Sequence, residues 1–248
     1  MNLEKLTCPV HSIETFGAVD GPGIRFVIFT QGCNLQCKYC QNRDTWSHKG
    51  GTPYTVNELL EKIERYKNYI IPSGGGVTIS GGEPLIHMQF LINLFKELKK
   101  QGIHTAIDTS GVFYLTPGIK ELIDLTDLFL LDIKCINDEI CKDLTSVSNV
   151  KELEFARYLN SINKPMWIRQ VLVPGYTDKE EDLIKLKEFL PEYERYGRSA
   201  PLKRNLQIID YADEVIAFWD GMSHGTRFVI ENCKRKNVPI KVYALANK

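Results

Sequence analysis

The sequence contains no apolar run long enough to cross a membrane. Its longest hydrophobic stretches, LFLL at 128–131 and RFVIF at 25–29, have the length of a β-strand, whereas a membrane-spanning helix needs about 20 apolar residues. The N-terminal residues MNLEKLTCPV also lack the apolar core of a secretory signal. We therefore expect a cytoplasmic protein with no membrane partner.

The sequence also lacks an excess of charge of either sign. Lys plus Arg and Asp plus Glu both number 31, so the formal net charge is zero. Nucleic-acid-binding domains normally carry a basic surface, so no nucleic-acid partner is expected. The chain has no internal repeat of solenoid length and no low-complexity tract, and its 248 residues, 43% of them hydrophobic, are enough for one large core.

A complete set of disulfides is not expected, because the cysteines number seven and the chain lacks a secretion signal. Four of them are scattered and are interpreted as small hydrophobic residues, either buried or at the surface: Cys8, Cys135, Cys141 and Cys233. The remaining three are crowded into QGCNLQCKYCQN at 31–42: Cys33, Cys37 and Cys40. Reduced thiols that bind a metal or a cluster are the better expectation for these three.

No fourth cysteine completes this set. A structural zinc site has four protein ligands, generally as two pairs, so zinc would need His11 or His48 as well and stays an alternative. A four-iron cluster held by three thiolates would leave one iron without a protein ligand. That iron could coordinate a substrate or cofactor, so the incomplete ligand set suggests chemistry.

Strand-like and helix-like segments alternate along the chain. Buried strands are predicted at 25–32, 76–84, 104–111, 128–134 and 165–175, and helices at 56–69, 87–100, 117–125, 137–145, 150–161 and 178–190. Alternating strands and helices require right-handed crossovers and a parallel sheet. The sequence therefore predicts an α/β fold built as a βα barrel or part barrel.

Polar residues recur where these strands end. They are Gly82 and Glu83, Asp108 and Thr109, Asp132 and Lys134, and Arg169. The C-terminal ends of the strands form one mouth in a βα barrel, and the cysteine loop belongs to the same edge. We expect a site there, although each single residue could equally be an ordinary helix cap.

The cysteine spacing, with Tyr39 before the last cysteine, resembles the signature of the radical S-adenosylmethionine (radical SAM) enzymes. Within that superfamily, colinear phrases from about 11 to 190 resemble the pyruvate formate-lyase activating enzymes, among them VDGPGIRFVIFTQGC, CQNRDTW, SGGGVTISGGEP, GIHTAIDTSG, TDLFLLDIK, NDEI, LEFARYL and WIRQVLVPGYTD. The resemblance implies a partial (β/α)6-type barrel with parallel strands. It also implies a single-cluster glycyl-radical activase, because no second cysteine-rich insert follows Asp44.

The resemblance assigns roles to individual positions. The three cysteines would hold a [4Fe-4S] cluster, and the SAM-binding residues would be Tyr39, Cys40, Gln41, Gly81, Gly82, Glu83, Asp132, Ile133 and Lys134. Gln41 stands where the family often has histidine. A monovalent cation would lie near SAM, held by Asp108, Thr109 and Asp132, and 21–25 would lie near the substrate's glycyl loop.

The activity that this resemblance implies is reductive cleavage of SAM to methionine and a 5′-deoxyadenosyl radical, which takes a hydrogen atom from a glycine of pyruvate formate-lyase. A flavodoxin or ferredoxin type of electron donor and a monomeric enzyme are expected with it. Another radical SAM reaction is the first alternative. A non-catalytic cluster- or nucleotide-binding protein is the second, because the expected C-terminal SAM-contacting histidine phrase is missing.

The C-terminal segment departs from the family pattern. Residues from about 196 to 244 resemble the C-terminal half of a Rossmann-like nucleotide-binding family. We expect a chimeric chain with a junction near 190–197, a radical SAM core at 1–192 and an atypical βα segment at 193–248. Its strand at 214–221 is expected to complete the large sheet beside 165–173. The turn at 221–226 could hold a phosphate or be an ordinary capped turn, and His224 is not assigned the missing SAM contact.

Overall fold

The computed structural model describes residues 6–189, 209, 215–219 and 224–244. The chain divides into two compact units, Met1–Asp182 and Leu183–Lys248. Within the described residues, no helix is both long enough and apolar enough to cross a membrane. The domain boundary predicted at 192/193 lies outside the described residues and stays a prediction.

The first unit is built on a seven-stranded sheet in the order β3-β1-β2-β4-β5-β6-β7. Five neighbouring strands run parallel, as predicted: β2 (Arg25–Thr30), β4 (Gly76–Gly81), β5 (His104–Thr109), β6 (Leu128–Asp132) and β7 (Met166–Arg169). The central strands are buried on both faces, which is why they read as nearly continuous hydrophobic runs. The predicted α/β class with a mostly parallel sheet is confirmed.

Helices connect the parallel strands. Those between β2 and β7 are α1 (Val56–Glu64), α2 (Lys67–Ile70), α3 (Met88–Lys100), α4 (Pro117–Leu125), α5 (Asp138–Thr145) and α6 (Val150–Ser161), and α7 (Glu180–Phe189) follows β7. Helix α1 begins at a capping box, in which the Thr55 hydroxyl accepts a hydrogen bond from the Glu58 N–H and the Glu58 carboxylate accepts one from the Thr55 N–H. The prediction of a single helix at 56–69 is wrong, because the chain turns at residues 65–66, between α1 and α2. That turn packs the Tyr66 ring against Phe16 and Phe26.

Two strands were not predicted. They are β1 (Thr7–Gly17) and β3 (Thr52–Thr55), and β1 pairs antiparallel with both β2 and β3. The pairing of β1 with β2 shifts register twice, between Val10 and Ser12 and between Glu14 and Gly17. Such bulges interrupt the alternation by which a strand is recognised in a sequence.

The second unit contains β8 (Val215–Trp219), α8 (His224–Lys236) and β9 (Ile240–Ala244). The two strands pair with each other in parallel and form a two-stranded sheet. Within this unit, α8 returns the chain so that β9 becomes the parallel neighbour of β8. The prediction that 214–221 completes the large sheet stays a prediction. The predicted junction near 190–197 and residues 221–223 of the proposed phosphate turn lie outside the described residues.

The four scattered cysteines are all buried, one of the two placements that the sequence left open. The exposed fraction of Cys8, Cys135, Cys141 and Cys233 is 2% or less, and each is a free thiol. They pack as small hydrophobic residues in the cores of their units.

Candidate active site

The cysteine loop begins directly after β2. Gly32 has φ +99, a conformation that favours glycine, and its N–H donates to the Thr45 carbonyl at 2.8 Å. The Gln31 side chain donates to the Asp44 and Ser47 carbonyls, both at 2.8 Å. These bonds hold the outgoing and returning ends of the loop together.

The middle of the loop is anchored to segments far along the chain. The N–H groups of Gln36 and Lys38 donate to the carbonyls of Thr145 and Leu144, at 3.0 and 2.8 Å. The Asn34 side chain donates to the Val112 carbonyl at 3.1 Å. A small buried cluster of Leu35, Cys37 and Val112 packs against the other two cysteines of the loop. The thiol positions therefore depend on the end of α5 and on the segment after β5.

A glycine turn follows β4 and lies against the cysteine loop. Gly81 has φ +106, and the N–H of Gly82 donates to the Thr30 carbonyl at 2.9 Å. A Cβ at Gly82 would lie 2.0 Å from the backbone oxygen of Gly32. Only glycine permits this approach of the two backbones.

The Glu83 carboxylate is buried, with 1% of the residue exposed. One oxygen accepts from the Thr109 hydroxyl at 2.5 Å and from the Leu85 N–H at 3.2 Å. The other accepts from the N–H and hydroxyl of Ser110, at 3.0 and 2.6 Å. Because four donors already occupy this carboxylate, its role is to fix the glycine turn against the end of β5.

Charged side chains at the ends of β5, β6 and β7 form a network of ion pairs. Arg169 donates to Asp132 at 3.0 Å and also to Asp108, and Lys134 pairs with Asp132 at 3.0 Å. Ser80 donates to Asp108 at 2.8 Å. Burial and repulsion from Asp132 raise the pKa of Asp108 to about 6, although Arg169 opposes the shift.

Lys134 is the cation of this network that lies nearest the cysteine loop. Burial alone would lower its pKa, but attraction to Asp132 and other neighbouring groups outweighs burial, and the pKa is raised. Its Nζ atom also lies 6.0 Å from the centre of the Tyr39 ring. Lys134 therefore stays protonated and brings a positive charge to the site.

These elements surround one cavity of about 320 Å³. Its walls contain Cys33, Cys37, Tyr39, Cys40, Gln41, Gly81, Gly82, Glu83, Asp108, Thr109, Asp132 and Lys134. The structure thus brings all but one of the predicted site residues together. The exception is Ile133, whose side chain is completely buried and does not line the cavity.

The lining also contains residues that were not assigned to the site from the sequence: Leu35, Asn42, Thr45, Trp46, Ser80, Ser110 and Val171. Ser110 follows the strand-end pair Asp108 and Thr109, so the same strand-end signal could have included it. Arg169 was noted at a strand end, but its two ion pairs depend on contacts between separate strands. The Arg169 guanidinium donates to Asp108 and Asp132, two of the three residues predicted to hold a monovalent cation. The cation site itself stays a prediction.

The thiol chemistry fits an iron–sulfur cluster. Burial raises the pKa of Cys33 to about 12 and that of Cys37 to about 11, so the thiolates would need bound cations to form at neutral pH. Among the described residues, no three His, Cys, Asp or Glu side chains are grouped closely enough to hold a metal ion. The three thiols line one cavity, and a cluster of four irons and four sulfides would fit there with one thiolate on each of three irons.

Comparison with known proteins agrees with this arrangement. The radical SAM superfamily model matches residues 27–187. The pyruvate formate-lyase 1-activating enzyme of Escherichia coli K12 is 49% identical over 181 residues, which cover 73% of this chain and 74% of that protein. A solved structure of Streptococcus suis SuiB bound to the precursor peptide SuiA is similar in fold, with a TM-score of 0.58 and 16% identity over 94% of this chain and 50% of that one.

The chimeric chain that the sequence suggested is not supported. The pyruvate formate-lyase-activating enzyme of Listeria monocytogenes is 43% identical over 244 residues, which cover 96% of this chain and 94% of that protein. This match includes most of the C-terminal segment, where a junction between unrelated pieces would have ended it. The chain belongs to the radical SAM superfamily and, within it, to the pyruvate formate-lyase-activating enzymes.

Proposed function

We propose that this enzyme activates pyruvate formate-lyase by generating a glycyl radical on it under anaerobic conditions. The observation that carries the proposal is the single cavity that three cysteines share with the glycine turn and the Asp132–Lys134 pair. The relatives of this chain from Escherichia coli and Listeria monocytogenes are named for this activity. The same cavity would be unusual in a protein that only stores a cluster, because charged groups from several strands face the thiols.

Cys33, Cys37 and Cys40 would hold a [4Fe-4S] cluster. A bound, reduced cluster would supply the electron for reductive cleavage of SAM, the chemistry that the proposed glycyl-radical formation needs. Lys38, next to Cys37, pairs with Asp143 at 2.7 Å. This ion pair helps hold the cysteine loop against α5.

SAM would be bound by the rest of the cavity. Gly81 and Gly82 offer backbone groups without side chains, so the SAM amino group could approach closely. Lys134 offers a fixed positive charge to an anionic carboxylate or to ribose oxygens, and Tyr39 and Gln41 line the wall beside the cysteines. Asp132 would hold the Lys134 ammonium group in place, and Arg169 would neutralise the carboxylates of Asp108 and Asp132.

The partners in this proposal are pyruvate formate-lyase, through its glycyl-radical loop, and a flavodoxin or ferredoxin type of electron donor. The enzyme would act as a monomer. Val171, which is 47% exposed and lines the cavity, offers an apolar edge on which the partner's loop could exclude water. A closed mouth matters because a primary alkyl radical can take a hydrogen atom from most C–H bonds that it meets.

The test is anaerobic. The protein is reconstituted with iron and sulfide, reduced and given SAM, and 5′-deoxyadenosine is measured by chromatography, with Cys33→Ala as the control. We expect formation that depends on Cys33, and an electron paramagnetic resonance doublet when pyruvate formate-lyase is added. Deoxyadenosine without the doublet would favour another radical SAM reaction. A bound cluster without deoxyadenosine would favour a non-catalytic protein.

A further inference from the structure

The first turn of α6 holds the backbone that follows β6. Glu152 accepts a hydrogen bond from the Lys134 N–H, and the Asn149 side chain donates to the carbonyls of Cys135 and Ile136, at 2.9 and 2.8 Å. Asn149 precedes α6 but makes no side-chain hydrogen bond to cap it. The side chains of Glu152 and Asn149 therefore both form hydrogen bonds to the backbone of residues 134–136.

The Lys134 N–H needs this partner because it lies just beyond the β6–β7 ladder. The preceding amide, that of Ile133, donates to the Arg169 carbonyl at 2.8 Å. With no further strand residue to pair with, the Lys134 amide would be an unsatisfied donor in the interior if Glu152 were absent. An unpaired buried amide destabilises the conformation that buries it.

Glu152 occupies a position where an apolar residue would be expected. Its exposed fraction is 0%, and it lies on the same buried face of α6 as Phe155, Ala156 and Leu159. One of its oxygens, Oε2, has no hydrogen-bond partner. Burial raises its pKa well above the usual glutamate range. A simple core position would be filled better by leucine or methionine.

We propose that Glu152 is a positioning residue for SAM binding, which acts by fixing the backbone at Lys134 and through it the Lys134 ammonium group. The inference rests on the proposed function, since it assumes that Lys134 contacts SAM. The Lys134 side chain is itself held at Asp132 Oδ2, 3.0 Å away. Because the backbone and the ammonium group of Lys134 are both held, its positive charge stays at one place in the cavity.

The test compares Glu152→Gln, Glu152→Ala and the matched control Glu154→Ala, which removes an exposed glutamate from the same helix. Each variant is reconstituted, its iron content is measured, and SAM is titrated against the spectrum of the reduced cluster. We expect Glu152→Ala to weaken SAM binding by about tenfold, as the loss of one buried hydrogen bond predicts, with iron content unchanged. Glu152→Gln should bind SAM as the wild type does, because the oxygen of the Gln side chain can accept the Lys134 N–H in the same place.

A double variant separates positioning from general support of the fold. If Glu152 acts through the Lys134 ammonium, Glu152→Ala should weaken SAM binding in the wild type and add almost nothing in a Lys134→Ala background. Equal losses in both backgrounds would overturn the inference, and so would wild-type SAM affinity in Glu152→Ala. The apparent KM for SAM should rise in Glu152→Ala more than kcat falls.

The failure of the inference and the failure of the proposed function give different results. A wild-type protein that binds SAM but forms no deoxyadenosine would overturn the proposed activity, while the SAM titrations would still decide the role of Glu152. A wild-type protein that binds no SAM would overturn both. Active wild-type protein with an unaffected Glu152→Ala variant would overturn the inference alone.

Discussion

Ser110 donates both its backbone N–H and its hydroxyl to the Glu83 carboxylate, at 3.0 and 2.6 Å. This pair of bonds joins the glycine turn after β4 to the end of β5. The two walls of the cavity are thus connected by a carboxylate that is buried and fully occupied. Because the thiols lie against the same turn, the shape of the cavity depends on this connection.

Glu83→Gln should destabilise the protein by about 2 kcal/mol, the usual cost of mismatching hydrogen bonds to a buried charged group. The carboxylate accepts from four donors, and the amide would place its own donor against at least one of them. Urea unfolding of the cluster-free protein measures the loss. Glu139→Gln, at an exposed ion pair, should change stability by less than about 0.5 kcal/mol; equal effects of the two substitutions would contradict this account.

Gly82→Ala should prevent cluster assembly. The new Cβ would lie 2.0 Å from the Gly32 oxygen, so the glycine turn and the cysteine loop would have to separate. Gly102→Ala is the control, since nothing lies within 4 Å of its Cβ and only its positive φ costs about 1–2 kcal/mol. Iron and sulfide per chain after reconstitution measure the difference, and a full cluster in Gly82→Ala would show that the loops can move apart freely.

The stability of the protein should depend on the protonation of His87. Its Nε2 atom lies 2.7 Å from the Gln31 carbonyl, and burial lowers its pKa below the ordinary value of 6.5, with His48 adding to the shift. The unfolded chain therefore binds the proton more tightly, so the contribution of His87 to stability is present above pH 6.5 and is lost as the pH falls towards the folded-state pKa.

His87→Gln keeps a donor for the Gln31 carbonyl but cannot titrate. Between pH 7.5 and pH 5, the free energy of unfolding should fall more steeply in the wild type than in this variant. His104 also has a lowered pKa because of its burial and its proximity to Arg25, so part of the slope should remain. Identical slopes in the two proteins would mean that His87 does not contribute.

The sequence was sufficient to predict the parallel strands and the edge at which the site lies. Strands such as Gly76–Gly81 and Leu128–Asp132 are buried on both faces, and that burial requires the apolar and β-branched runs that identify them. Polar residues at the ends of parallel strands meet at one edge, so Asp108 and Asp132 could be placed together without knowledge of their contacts. The resemblance to known enzymes added the roles of the three cysteines.

The remaining features depend on contacts that a sequence pattern does not contain. The two bulges of β1 hide its alternation, and the ion pairs of Arg169 join strands that are far apart in the sequence. β7 ends at Arg169 rather than extending to 175, and Val171 and Leu172 beyond it are exposed. Glu152 did leave a signal, because a charged residue at the spacing of Phe155 and Leu159 falls on the buried face of a predicted helix.

The anchoring of the cysteine loop has a consequence for the biosynthesis of the enzyme. Cys33, Cys37 and Cys40 leave the ribosome early, but the loop that carries them is held by the carbonyls of Leu144 and Thr145. About 100 residues separate the two, which corresponds to about 5–20 s of translation. Until α5 has been made, the loop lacks these two hydrogen bonds. We therefore expect cluster insertion to follow the synthesis of α5.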